Sequence, residues 1–158
     1  VNGIVLGLYK TGKIQVMRDG SQWRPFIHVK DVAVALTRFV ENSPDKVNRQ
    51  VFNVGSDDQN YQIYPLAELI GRSVRTPFKI EWYGSPDKRS YRVGFGKIKE
   101  KLNFTPRHTP GQAAEEIYNA LKDGAITDSM RARTVDWYKH LLDAEATVRE
   151  VMLRNTVL

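Results

Sequence analysis

The stretch Gly20-Ser21-Gln22-Trp23-Arg24-Pro25-Phe26-Ile27-His28-Val29-Lys30-Asp31-Val32-Ala33 decides how this chain is read. Asp19-Gly20-Ser21 is a turn signal. Residues 23–27 then read as a short strand, and Pro25, which brings no N–H to a ladder, confines it to an edge or an irregular pairing. From Val29 the period changes. Val29, Val32, Ala33, Leu36, Phe39 and Val40 fall on one helical face, and Asn42-Ser43-Pro44 ends the helix. A turn, a short strand carrying Arg24 and a helix start therefore follow one another directly.

Upstream, residues 1–10 read as the end of a helix closed by Thr11-Gly12, and residues 13–17 alternate polar and apolar as a strand does. Downstream, residues 43–50 are a polar loop, residues 51–55 read as a buried strand, and residues 56–61 as a loop. Ile63, Leu66, Ala67, Leu69 and Ile70 mark an amphipathic helix that tolerates Pro65 only in its first turn. Residues 78–83 alternate as a strand, Ser85-Pro86-Asp87 is a turn, and residues 90–93 are extended. Ile98, Leu102 and Phe104 belong to a short helix and its exit. At Thr109-Pro110-Gly111-Gln112 a helix starts: Thr109 caps, Pro110 takes the first helical position and Gln112 reaches back to complete a capping box. That helix carries Ala113, Ala114, Ile117, Tyr118 and Leu121 and closes at Gly124. A last helix from about Asp128 to Leu153 spaces Trp137, Leu141, Ala144, Val148 and Val151 by four and three. Such a seam either packs on its own domain or forms a helix-to-helix dimer contact. The fold class is mixed α/β, a small-sheet subdomain with several helices over residues 1–126 and a helical extension over 127–158.

The length, 158 residues, suits one domain with a sizeable core, and 41% hydrophobic with 27% charged residues is ordinary for a globular protein. No Cys is present, which excludes disulfides and thiolate metal sites and fits a cytoplasmic location. No apolar run reaches the length of a membrane span, so no membrane partner is expected. The chain begins at Val1 rather than Met with no basic-then-apolar leader, and an amino-terminal part is expected to precede it. The net charge of +6 is uneven: residues 72–107 hold ten Lys or Arg against Glu81, Asp87 and Glu100. An anionic ligand and a solvated basic face both account for such a cluster on charge alone.

His28, His108 and His140 are far apart in sequence without metal-ligand spacing, and each reads as a structural or surface histidine. No Ser sits in a nucleophile elbow, and no Gly-x-Gly-x-x-Gly or P-loop is present. No Tyr precedes a Lys by four, although Tyr83 and Asp87 have that spacing. These residues hold no complete catalytic constellation, no metal site and no dinucleotide fingerprint.

The stretch 20–33 closely resembles the signature Gly-x-Gln-x-Arg, then Asp or Pro, an aromatic residue, Ile or Leu, His or Tyr, and Val-x-Asp, then Val or His, and Ala, of the NAD-dependent epimerase/dehydratase family, the extended short-chain dehydrogenases/reductases that act on nucleotide sugars. By this resemblance Arg24 holds the nucleotide diphosphate, and its rigid fork of donors on a short strand suits a pair of phosphate oxygens. The other reading of Arg24 is an ion pair with Asp19 or Asp31. Asp31, Val32 and Ala33 then set the start of the helix. Residues 86–98 with 102–106 resemble the family's second Arg-bearing segment, in which an Arg grips the second phosphate or the adjoining sugar. Arg89 matches it best, and Arg92 is a neighbour within reach. Strand alternation puts Arg89 on the face of Tyr91 and turns Arg92 away. Gly94 stands where the family often has Asp, and Asn103 where it often has Gly. Residues 51–56, 59–63 and 66–70 resemble an architectural run in which Asn53 bonds backbone. Asn2 is similar to an Asn preceding a uridine-type pocket in some relatives.

The resemblance covers about residues 1–121 and implies the carboxyl-terminal, substrate-binding part of an enzyme whose Rossmann half, carrying NAD or NADP and a Tyr-Lys pair, lies outside this chain. The expected partners are a nucleotide sugar, that missing Rossmann domain and a possible second copy, and no cofactor is expected on this chain. Alone, the chain is expected to be inactive. A relative that binds nucleic acid through the basic 72–107 stretch, with Trp82, Tyr83 and Tyr91 interleaved, is the alternative reading.

Overall fold

The computed structural model describes residues 1–153 together with Thr156 and Val157. The chain divides into two compact units, Val1–Asp123 and Gly124–Leu158.

The first unit opens with helix α1, Asn2–Thr11, which ends where Gly12 turns left-handed at φ 67° and its N–H bonds the Leu8 carbonyl. Strand β1, Lys13–Met17, follows at once and buries Ile14 and Val16 on one face, as its alternation predicts. At the next turn Gly20 has φ 76°, and a side chain there would put its Cβ 2.6 Å from the Cβ of Tyr64. Only glycine fits that position. The close approach lets Tyr64 N–H donate to the Gly20 carbonyl at 2.9 Å, which fixes the start of the strand carrying Arg24.

That strand, β2, is shorter than its residues predict and covers Trp23–Pro25. Phe26 N–H leaves the ladder to bond the Gln59 carbonyl, and helix α2 then runs Val29–Glu41 with His28 as its N-cap. Proline at N1 starts a short helix, α3, Pro44–Val47, inside the expected polar loop. A 3-10 turn, Asp57–Gln59, leads to β3, Asn60–Gln62, which pairs antiparallel with β2 so that Arg24 faces Tyr61. Helix α4, Ile63–Val74, and strand β4, Lys79–Tyr83, come next. β4 lies parallel to β1 with Lys13 opposite Lys79 and Met17 opposite Tyr83. Helix α5, Gly96–Leu102, ends with Asn103 in the left-handed region at φ 48°, a role that asparagine fills after glycine. Helix α6, Pro110–Lys122, carries the complete Thr109–Gln112 capping box.

Three apolar clusters hold this unit. Val5, Leu66, Ile70, Ala114 and Leu121 join α1, α4 and α6. Leu8, Ile14, Val16 and Ala67 seat β1 on the same helices. Ala35, Phe95, Ile98, Leu102 and Phe104 bind α2 to α5.

Two expectations fail here. None of the residues expected on one face of α2 is fully buried: Val32 and Phe39 are half-buried, Val29 (74%), Ala33, Leu36 and Val40 (86%) are exposed, and the buried positions are Asp31 and Ala35. Residues 51–55, expected to be a buried strand, form no ladder, and Val51 is exposed. The strand expected at 90–93 is likewise not formed.

The second unit contains a 3-10 turn, Met130–Ala132, helix α7, Thr134–Val151, and a short antiparallel pair, β5 (Met152–Leu153) with β6 (Thr156–Val157). The Arg131 guanidinium lies over the Trp137 ring, 5.1 Å from its centre. The seam predicted on α7 has no buried residue, and Leu141, Val148 and Val151 are exposed. No helix among the described residues is long and apolar enough to cross a membrane.

Candidate functional site

Arg24 leaves β2 beside the irregular segment that follows β4, and its Nη1 and Nη2 are engaged there. Nη1 donates to the carbonyls of Trp23 at 2.7 Å and Arg89 at 2.6 Å, and Nη2 donates to Asp87 Oδ2 at 3.0 Å. The Arg24 guanidinium also lies over the Tyr91 ring, 5.0 Å from its centre. Trp23 N–H donates to Ser90 Oγ of the same segment at 3.0 Å.

Arg89 reaches the same carboxylate from the other side. Its Nε and backbone N–H donate to Asp87 Oδ1 at 2.9 and 3.0 Å, and its Nη2 donates to Asp87 Oδ2 at 3.0 Å. Two guanidinium groups far apart in the chain thus converge on one acidic side chain. The three members differ in exposure: the side chains of Asp87 and Arg24 are 13% and 20% exposed, that of Arg89 81%. Arg24 is therefore a latch and Arg89 a free arm resting on Asp87.

Hydrogen bonds from the Arg89 side chain and backbone, with the Arg24 and Arg89 charges, pull the Asp87 carboxyl down to about 2 from its ordinary 3.8. The same pairing raises Arg89. Because the folded value lies below the unfolded one, the latch contributes fully above about pH 4 and is lost as pH falls from 3.8 toward 2. Acidification through that window should loosen residues 86–92 in the native chain, and Asp87→Asn should abolish that step. Backbone amide shifts of residues 86–92 followed by NMR across that window read both.

The remaining sequence-derived candidates divide. Tyr91 joins the Arg24–Arg89 group, as above. Arg92 goes elsewhere, stacking over the Trp23 ring at 4.6 Å. Residues 89–93 are not a strand, so the contacts rather than alternation separate Arg92 from Arg89. Asn2 lines a different cleft of about 650 Å³, with Phe26, His28, Gln59, Thr109 and Glu116. The ion pair that is the other reading of Arg24 does form, but with Asp87; Asp19 holds Ser21, and Asp31 holds His108. Asn53 donates to the Gly94 carbonyl at 3.2 Å, a backbone role as expected. Trp82 stacks on Tyr64 at 5.2 Å, so this ring of the basic stretch is already engaged.

Two features were not read from the sequence. Asp87 looked like a turn residue, and its only signal was an acid two positions before the candidate Arg. His28 and His108 keep the structural roles expected of them, but they also stack with ring centres 4.6 Å apart, and His28 lines the cleft holding Asn2. His28 Nδ1 accepts from Lys30 N–H at 3.1 Å, which leaves Nε2 to donate toward Glu116 Oε2 at 3.4 Å. His108 donates from its backbone N–H and from Nδ1 to the two oxygens of buried Asp31, each at 2.9 Å. Burial pushes the Asp31 carboxyl up, but the His108 and Arg107 hydrogen bonds outweigh it and hold it below its ordinary value. The Lys30 ammonium, 2.9 Å away, likewise holds Glu116 down despite some desolvation. No group of three metal-ligating side chains occurs among the described residues.

Residues 2–55 match the NAD dependent epimerase/dehydratase family. Over 108 residues the chain is 28% identical to UDP-N-acetyl-alpha-D-glucosaminuronate decarboxylase of Bacillus cytotoxicus, covering 64% of this chain and 33% of that protein. Its fold is similar to that of UDP-glucuronic acid 4-epimerase from Bacillus cereus, solved with UDP-glucuronic acid and NAD. That likeness has a TM-score of 0.64 and 15% identity over 76% of this chain and 38% of the other. It is also similar to ADP-L-glycero-D-manno-heptose-6-epimerase of Helicobacter pylori, with a TM-score of 0.63 and 17% identity over 77% of this chain and 37% of the other. The chain spans a third or less of the length of the first curated relatives it matches.

Proposed function

We propose that this chain, whose residues 2–55 match the NAD dependent epimerase/dehydratase family, is the nucleotide-sugar-holding portion of such an enzyme. Arg24 and Arg89 grip the diphosphate, and Tyr91 packs beside them. The observation that carries this reading is the convergence of both guanidinium groups on Asp87, which marks a place built to hold two oxygens of an anion. What the chain contributes to the reaction is position. A diphosphate fixed by two forks brings the sugar into register with chemistry performed elsewhere in the complete protein.

The nicotinamide cofactor does not fit the residues present. Helices α2, α4 and α6 begin after His28, Gln62 and Thr109, and none is entered through a Gly-rich turn that would cradle a dinucleotide pyrophosphate. In this reading NAD or NADP, the Tyr-Lys pair and the sugar oxidation belong to a Rossmann half outside this chain. The exposed stripe Val29, Leu36 and Val40, with Val51 beside an unpaired extended run, is the surface that such a half would cover.

The test is Arg89→Ala in the complete protein. Because the side chain is largely in solvent, folding should be untouched. The KM for the nucleotide sugar should rise tenfold or more with kcat little changed, the signature of lost uniform binding. Steady-state kinetics with an unaltered KM would remove Arg89 from the site.

A further inference from the structure

We propose that Asp87 is an internal competitor for the anion: it occupies the Arg89 fork in the empty site, and a phosphate-bearing ligand enters by displacing it from Arg89 while Arg24 keeps its Nη2–Asp87 bond and turns its remaining N–H groups to the same ligand. This rests on the reading of Arg24 and Arg89 as the diphosphate grip.

The geometry separates the two arginines. Arg24 Nη1 is held by two backbone carbonyls that no ligand replaces, and its side chain is mostly buried. Arg89 has no side-chain hydrogen bond among the described contacts other than those to Asp87, and it stands in solvent. The Arg89–Asp87 contact is fork on fork, with Nε on Oδ1 and Nη2 on Oδ2, the arrangement a phosphate group would make with the same guanidinium. One face of Arg89 cannot serve both anions at once. A ligand carrying two or more negative charges outcompetes a single carboxylate, whereas a monoanion does not. Asp87 thereby lowers affinity for every anion and favours the more highly charged. After displacement its Oδ2 still accepts from Arg24 Nη2, and its Oδ1 still accepts from Arg89 N–H, so it is not left unpaired.

The experiment uses inorganic pyrophosphate and the 158-residue chain, with binding followed by calorimetry. Asp87→Asn preserves shape and the acceptor oxygen but removes the charge. It should tighten pyrophosphate binding at least threefold, and adding Arg89→Ala to it should abolish the gain. Equal or weaker binding by a folded Asp87→Asn chain overturns the proposal, as does a gain that survives loss of Arg89 or the absence of binding by both forms. If Asp87→Asn does not fold, the wild-type chain decides. The Arg89 Nε–H and the Asp87 carboxyl-carbon resonances should move together as pyrophosphate is added, and a stationary Arg89 signal overturns it. Pyrophosphate has neither base nor sugar, so these outcomes are independent of the nucleotide-sugar KM that tests the function itself.

Discussion

Arg24→Ala in the complete enzyme is expected to raise the nucleotide-sugar KM by about ten- to a hundredfold and, unlike Arg89→Ala, to weaken the fold. The kinetic part follows from removing one member of a desolvated charge-assisted contact, a loss on the order of 2 kcal/mol or more. The structural part follows from what else Arg24 holds. Without it, the Trp23 and Arg89 carbonyls and Asp87 Oδ2 lose a donor at a site only 20% exposed on the Arg24 side. Hydrogen bonds to charged groups are worth about 1.5–3 kcal/mol each, and replacement by water recovers part, so a net destabilisation of about 1–3 kcal/mol is expected. Arg24→Lys keeps the charge but not the fork and should recover little of either. Kinetics paired with thermal melts separate the two roles. A lower Tm with an unchanged KM would leave Arg24 a latch and nothing more.

The second large effect is on stability alone. Phe104 is 2% exposed and packs with Ala35, Phe95, Ile98 and Leu102, the cluster that ties α2 to α5. Phe104→Ala removes a buried ring and leaves a cavity, a change that costs about 3–5 kcal/mol. Phe95 is also the ring against which Gly55 is pressed, since a Cβ on Gly55 would lie 2.5 Å from it. Neighbours so constrained collapse poorly into a hole. Urea unfolding of the folded chain measures the loss, and a shift below about 1.5 kcal/mol would mean that the cluster relaxes instead.

Features governed by nearby residues were legible in the sequence. Thr109-Pro110-Gly111-Gln112 announces a capping box, and both of its hydrogen bonds are present. Gly12 ends α1, and the alternation of residues 13–17 buries Ile14 and Val16. What failed was what needs a partner. The apolar positions of α2 and of residues 51–55 are read from spacing, and spacing does not say which of them a neighbouring element will cover. The meeting of Arg24 with residues 87–91, and of His28 with His108, depends on tertiary placement that no local spacing encodes. In the candidate site the motif supplied Arg24 and Arg89, while the identity of the acid between them came only from three dimensions.

The parallel pairing of β1 with β4 has a kinetic consequence. Lys13 and Lys79 lie far apart in the chain, and that loop must close before the ladder returns any of its entropy. Helices α1, α4 and α6 rest on local contacts, so zipping of these two strands is expected to come late in folding. The Arg24 latch, which joins β2 to residues just beyond β4, closes a loop of similar span and is expected to share that delay.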